Sequence, residues 1–118
     1  EIEKRQVVAA RYAAGLEGLA TPPAVIDGAV SAWAQYTIKV ANRDAVAAAL
    51  KDRGVPTAVY YPVSLSDQPA YAHYPRTAKG APVSAALTHE VLSLPMHPYM
   101  DEATQDRILA AVKEAVAA

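Results

Sequence analysis

The sequence predicts an α/β protein, an α+β sandwich in which helices cover a small sheet of about three strands and a longer helix comes first. Three patterns point there. A helical stripe runs over residues 2–19, a strand, a helix and a strand follow one another between Ser31 and Tyr61, and an apolar run precedes a capped amphipathic helix at the end. The 118 residues and 12.5 kDa suffice for one domain and fall short of two.

In residues 2–19 the larger apolar side chains fall at Ile2, Val8, Tyr12, Leu16 and Leu19, and the spacing from Val8 onward marks one face of a helix. No Ser, Thr, Asp or Asn occurs before Thr21, so this helix starts uncapped, and the expectation is that its natural beginning lies upstream of Glu1. Thr21-Pro22-Pro23 ends it. Residues 31–40 alternate, with Ala34, Tyr36, Ile38 and Val40 on one face and Trp33, Gln35, Thr37 and Lys39 on the other, as a half-buried strand does. Asn42 is placed to cap a helix over residues 43–53, with Val46 and Leu50 inward and Gly54 as its left-handed stop. After Pro56, residues 57–61 are β-branched and aromatic, a second strand ended by Pro62.

Residues 63–80 carry Pro69, Pro75 and Gly80 and read as irregular, with room for one helical turn after Asp67. Ser84 is placed to cap a short helix reaching His89 or Glu90. Val91-Leu92-Ser93-Leu94, closed by Pro95, reads as the third strand. Asp101 caps the last helix, with Ile108, Leu109, Val112 and Val116 inward.

Composition removes several function classes. Hydrophobic residues make up 53% and charged residues 19%, as in globular proteins. Yet 27 residues are Ala and none is Phe. At roughly 25 cal/mol per Å² of buried apolar area, methyl groups stabilise a core less than larger side chains do, which suggests a unit that leans on another. A net charge of −1 with no Lys/Arg cluster argues against nucleic acid as a partner, because binding to phosphates rests on released counterions. Zero cysteines exclude a disulfide framework, a thiolate metal site and a Cys nucleophile, and fit a cytoplasmic location. The longest apolar runs, such as residues 45–50, fall far short of the roughly 20 residues that span a bilayer, so no membrane partner is expected.

Chemistry-bearing constellations are sparse. His73, His89 and His97 show neither an i,i+4 pair nor an HExxH, the spacings a metal site on a helix needs, and read as surface or capping residues. There is no Gly-x-Ser-x-Gly, and Ser64 and Ser66 lie in a Pro-bounded loop rather than at a nucleophile elbow. The five glycines are scattered, so no phosphate cradle forms, and Asp101-Glu102 is an acidic pair that suits a helix N-terminus. Tyr60 and Tyr61 remain. Adjacent residues on a strand point to opposite faces, so one can enter the core while the other stacks on a ligand ring and hydrogen-bonds a hydroxyl. The plainer alternative is that both fill space in a Phe-free core, and Trp33 carries the same two readings, core or interface plug first and ligand platform second.

Taken in order, Ser31-Ala32-Trp33-Ala34-Gln35-Tyr36-Thr37-Ile38, Gly54-Val55-Pro56-Thr57, Tyr60-Tyr61-Pro62, Gln68-Pro69-Ala70-Tyr71 and Leu92-Ser93-Leu94-Pro95-Met96-His97-Pro98 resemble the C-terminal part of the DegT/DnrJ/EryC1/StrS family. The likeness runs over essentially the whole chain. Within that family it looks most like enzymes acting on UDP-linked 3-keto sugars of the N-acetylglucosaminuronate type. The resemblance implies a pyridoxal-phosphate-dependent aminotransferase of fold type I that aminates nucleotide-linked keto-sugars, with glutamate as donor, and works as a homodimer. It implies that residues 1–20 form a linking helix to an N-terminal large domain outside this sequence, and that residues 21–118 form the small C-terminal domain with a mainly antiparallel sheet. By position, Tyr60 and Tyr61 are candidates for substrate contact with the nucleotide sugar. Ser64 and Ser66 stand where family members commonly carry Pro and His, so Ser66 is a third candidate, able to bond an oxygen but never cationic.

The lysines are Lys4, Lys39, Lys51, Lys79 and Lys113, and none matches the family's Schiff-base motif. The expectation is therefore that this chain alone binds no pyridoxal phosphate and carries no catalytic residue, since such a lysine needs a lowered pKa, a pyridinium partner and a phosphate cup. Two other readings stay open: a stand-alone interaction or scaffold module derived from this domain, and a regulatory domain with a closed pocket at Tyr60 or Tyr61. A self-sufficient module should cap and bury its first helix, whereas a part of a larger enzyme should expose an apolar stripe there.

Overall fold

The computed structural model describes all 118 residues. In chain order it forms α1 (Ile2–Gly15), β1 (Tyr36–Lys39), α2 (Arg43–Asp52), α3 (Pro82–Leu87), β2 (Val91–Leu94) and α4 (Glu102–Ala117), with two 3₁₀ turns, Leu65–Asp67 and Pro69–Tyr71, between α2 and α3. β1 and β2 pair antiparallel, Tyr36 opposite Leu94 and Ile38 opposite Leu92. A single residue then joins each outer edge: Thr21 bridges Lys39, and Ala58 bridges Ser93.

The α+β architecture is the expected one, but the sheet has two strands rather than about three. Residues 57–61 shrink to the bridge at Ala58, whose N–H and C=O exchange bonds of 3.1 and 2.8 Å with Ser93. Pro56 and Pro62 bracket this stretch and Tyr61 takes a φ of 59°, so no ladder extends past one residue. Residues 31–40 likewise contract to β1, because Trp33 at φ 48° breaks the extended run. Alternation holds within the strand, but Ala34 is exposed and Trp33 buried, the reverse of the expected phase.

Helix ends follow local chemistry. α1 stops at Gly15 instead of Leu19. A Cβ on Gly15 would lie 2.5 Å from Leu109 Cδ1, so the glycine leaves room for the Leu109 side chain of α4. Asn42 precedes α2 as expected, but at φ 52°, ψ 39° with no side-chain cap; the site uses the tolerance of Asn for the left-handed region. α2 ends in a Schellman motif, Val55 N–H to the Leu50 carbonyl and Gly54 N–H to the Lys51 carbonyl, both 2.9 Å, with Gly54 at φ +71°. Pro82 opens α3 at its first turn, which places Ser84 inside the helix, not at its cap. Asp101 does cap α4, its Oδ1 accepting from Thr104 N–H at 2.7 Å.

One core joins these elements: Val8, Tyr12 and Leu16 from α1, Tyr36 and Ile38 from β1, Val46 and Leu50 from α2, Leu92 and Leu94 from β2, Ile108 and Val112 from α4. Trp33, Tyr36 and Tyr12 form its aromatic spine, with ring centroids 5.4 and 5.0 Å apart, in place of phenylalanine. Trp33 is thus a core residue. Its Nε1–H bonds Gln6 Oε1 at 2.8 Å, which fastens the loop before β1 to α1. Arg43 is 93% buried and donates from its guanidinium to the Val91 carbonyl at 3.0 Å, tying α2 to β2.

Candidate functional site

The loop from Val59 to Gly80 leaves the sheet at the Ala58 bridge and forms two 3₁₀ turns that share hollows with Ser84 of α3. Tyr60 and Tyr61 both turn outward, 46% and 82% exposed, so neither enters the core; Tyr12 and Tyr36 fill it instead. With Gln35, Thr37 and Leu87 the two tyrosines line a cleft of about 400 Å³. Ser66 lies in an adjoining cleft of about 520 Å³ with Tyr71, Tyr74 and Arg76. The clefts share Ser64, Leu65 and Ser84. Thus the three candidate residues belong to one loop but to two neighbouring hollows.

A chain of polar contacts holds this loop. Ser64, itself buried, donates its hydroxyl to Asp67 Oδ2, and Arg76 donates to Asp67 Oδ1 at 3.0 Å and to the Ser66 carbonyl. The Ser64 hydrogen bond, followed by that from Arg76, holds the Asp67 carboxyl below the usual range. An ionised carboxylate only accepts, so the single Ser64 proton is committed to Asp67. The contact of 3.2 Å between the Ser64 and Ser66 oxygens then requires Ser66 to donate. Ser66 keeps its lone pairs free and is set to accept from a ligand hydroxyl or amide. Of these residues, sequence reasoning singled out Ser66 alone. The Ser64-x-x-Asp67 spacing is a turn signal that could have linked the first pair, whereas nothing in the sequence ties Arg76 to a position nine residues back.

All five lysines are exposed; Lys51 borders a cavity with Ala47, Val55, Thr57 and Val59, which has no second charged group for a pyridinium nitrogen or a phosphate. These residues do not fit a Schiff-base site. No group of three or more His, Asp or Glu is placed to hold a metal ion. His97 acts locally, its Nδ1 accepting from Tyr99 N–H at 3.2 Å. No helix is long and apolar enough to cross a membrane.

α1 meets the criterion set for it only halfway. It has no side-chain cap, and Ile2 and Val7 are exposed, yet Val8, Ala9 and Tyr12 are buried against the chain's own core. The larger exposed apolar groups gather elsewhere, at Val25, Ile26 and Val30 before β1 and along the loop from Tyr60 to Tyr74.

Comparison with known proteins gives a coherent set. A family model described as the DegT/DnrJ/EryC1/StrS aminotransferase family matches residues 1–113. The UDP-2-acetamido-2-deoxy-3-oxo-D-glucuronate aminotransferase of Pseudomonas aeruginosa is 46% identical over 114 residues, 95% of this chain and 31% of that protein. Among solved structures, a DegT DnrJ EryC1 StrS aminotransferase from Brucella abortus is 43% identical with a TM-score of 0.92, over 97% of this chain and 31% of that one. S. venezuelae DesV, solved with a ketimine intermediate, is 30% identical with a TM-score of 0.89, over 98% of this chain and 32% of that one. The chain therefore spans about 31% of the length of the curated relatives it matches.

Proposed function

This chain belongs to the DegT/DnrJ/EryC1/StrS aminotransferase family, and from that membership we propose that it is the small C-terminal domain of an enzyme moving an amino group, with glutamate as donor, onto a nucleotide-linked keto-sugar. Residues 1–20 link it to a larger N-terminal domain that supplies the lysine and holds pyridoxal phosphate, in a cytoplasmic homodimer. Residues 21–118 close over the sugar nucleotide through Tyr60, Tyr61 and Ser66 and carry no reacting group. The likeness to the Pseudomonas enzyme, high across nearly all of this chain, is the observation that carries the proposal. The outward tyrosines support it, because an exposed aromatic residue at a positive φ is poorly explained by folding alone. Internal burial of the α1 stripe favours a second reading, a stand-alone interaction module derived from the same domain.

Titration of the chain with UDP-glucuronate, followed by NMR, tests the first. Tyr60→Phe or Tyr61→Phe should weaken binding by about 1–3 kcal/mol where a hydroxyl loses its partner. Equal affinity in both variants would return the tyrosines to a structural role and favour the module.

A further inference from the structure

Next to the cleft of Tyr60 and Tyr61 lies the second hollow, whose walls have features that the fold does not use. Arg76 is the only charged residue lining it. Two acceptors, Asp67 and the Ser66 carbonyl, fix its guanidinium, and Asp67 is itself held by buried Ser64. A guanidinium has five N–H donors, and Arg76 gives only two to the chain, so three remain for a ligand. Such a pre-oriented fork matches an oxyanion far better than a mobile surface lysine would.

The same hollow is lined by aromatic side chains. Tyr71 and Tyr74 have ring centroids 5.8 Å apart, and His73 packs on Tyr74 at 4.6 Å, so the three rings support one another. Both tyrosines are about half exposed, and neither hydroxyl has a partner within the chain. Every residue from 71 to 81 is exposed, so these rings contribute little to the core. A flat apolar face carrying free hydroxyls beside a fixed guanidinium, with Ser66 offering an acceptor, is the chemistry of a site for a sugar ring that bears an anionic group.

Resting on the reading above, we propose that this hollow is a specificity subsite in which Arg76 pairs with an oxyanion of the sugar nucleotide while Tyr71 and Tyr74 stack on the ring beside it. The oxyanion is either a carboxylate on the sugar or the diphosphate, and Arg76 recognises the oxygens common to both.

The experiment titrates the full chain and its Arg76→Gln, Arg76→Lys and Tyr74→Ala variants with UDP-glucuronate and UDP-glucose, following amide shifts by NMR. These two probes differ at one position, where a carboxylate replaces a hydroxymethyl. Arg76→Gln should weaken UDP-glucuronate binding by about tenfold or more. Arg76→Lys should recover part of the loss, because it keeps the charge without the fork. An effect confined to UDP-glucuronate assigns Arg76 to the sugar carboxylate, and an equal effect on both probes assigns it to the diphosphate; both support the subsite. Tyr74→Ala should weaken both probes. Unchanged affinity in Arg76→Gln, with affinity lost in Tyr61→Phe, overturns the subsite and leaves the substrate-closing role standing. Absence of binding of either probe to the unsubstituted chain removes both. Because Arg76 and Tyr74 are surface residues, unchanged amide shifts elsewhere in each variant verify the fold.

Discussion

The side-chain amide of Gln105 on α4 donates to the main-chain carbonyl of Val8 on α1 at 2.9 Å, with Gln105 only 2% exposed. It is a buried polar bolt in an interface that also holds Val8, Tyr12, Ile108 and Val112 and, at its exposed edge, the ion pair of Arg11 with Asp106. Gln105→Ala removes both the bond and the packed methylenes, and should cost about 2–4 kcal/mol. Gln105→Leu keeps most of the volume and should cost less than about 1.5 kcal/mol. Urea denaturation measures both, and a cost below about 0.5 kcal/mol for the alanine variant would mean that α1 is held elsewhere.

Tyr61 combines a left-handed backbone with a bulky side chain that touches little of the folded chain. Tyr61→Gly removes that strain and should raise stability by about 0.5–1 kcal/mol, while weakening binding of UDP-glucuronate. Stability and binding moving in opposite directions is the signature to seek in thermal melts and titrations. A loss of stability would show that the tyrosine packs productively.

Burial pushes the Tyr36 phenol up to about 12, and burial together with its neighbour Tyr36 pushes Tyr12 higher still. Both groups titrate later folded than unfolded. The stability that comes from keeping them protonated is complete below about pH 10 and is lost as pH rises through about 12. Absorbance at alkaline pH should show two of the seven tyrosines ionising only together with cooperative unfolding. Ionisation of all seven before the unfolding transition would contradict the buried spine.

Asp67 titrates in the opposite sense. Its carboxyl lies below the ordinary 3.8, so its contribution is present above that value and is lost as pH falls through the lowered one. Carbon-detected NMR should place Asp67 below 3.8. Ser64→Ala and Arg76→Gln should each return it toward 3.8, because hydrogen bonds from both side chains and the charge of Arg76 lower it. An unmoved titration in both variants would show that neither side chain anchors the carboxyl.

The lysines make a negative prediction. Incubation of the chain with pyridoxal phosphate and borohydride should label its five exposed lysines without preference. One lysine trapped selectively, read by peptide mass, would place an amine-bearing site inside this chain.

Much of the scaffold was legible because local signals agreed with tertiary packing. Val46 and Leu50 fall on the inner face of α2, Gly54 ends that helix, and Asp101 starts α4, each from a short pattern that the core reinforces. What misled was strand length. Residues 57–61 have the composition of a strand, but prolines at both ends and the positive φ of Tyr61 leave one paired residue. The resemblance singled out Tyr60, Tyr61 and Ser66 after the second strand, and the alternation of Tyr60 and Tyr61 allowed one of them into the core, whereas both are exposed. Arg43 and Gln105 were illegible for a different reason: a polar residue on a helix face looks solvated until its distant carbonyl partner is known.

The bridge at Ala58 has a bearing on how copies of this chain meet. Ala58 N–H takes the Ser93 carbonyl, and the Arg43 guanidinium takes that of Val91, so the acceptors along the free margin of β2 are already engaged. A neighbouring molecule seeking to prolong the sheet would find no open row of backbone groups there. One alanine and one inward-facing arginine thereby close the β2 margin of the ribbon to edge-to-edge pairing.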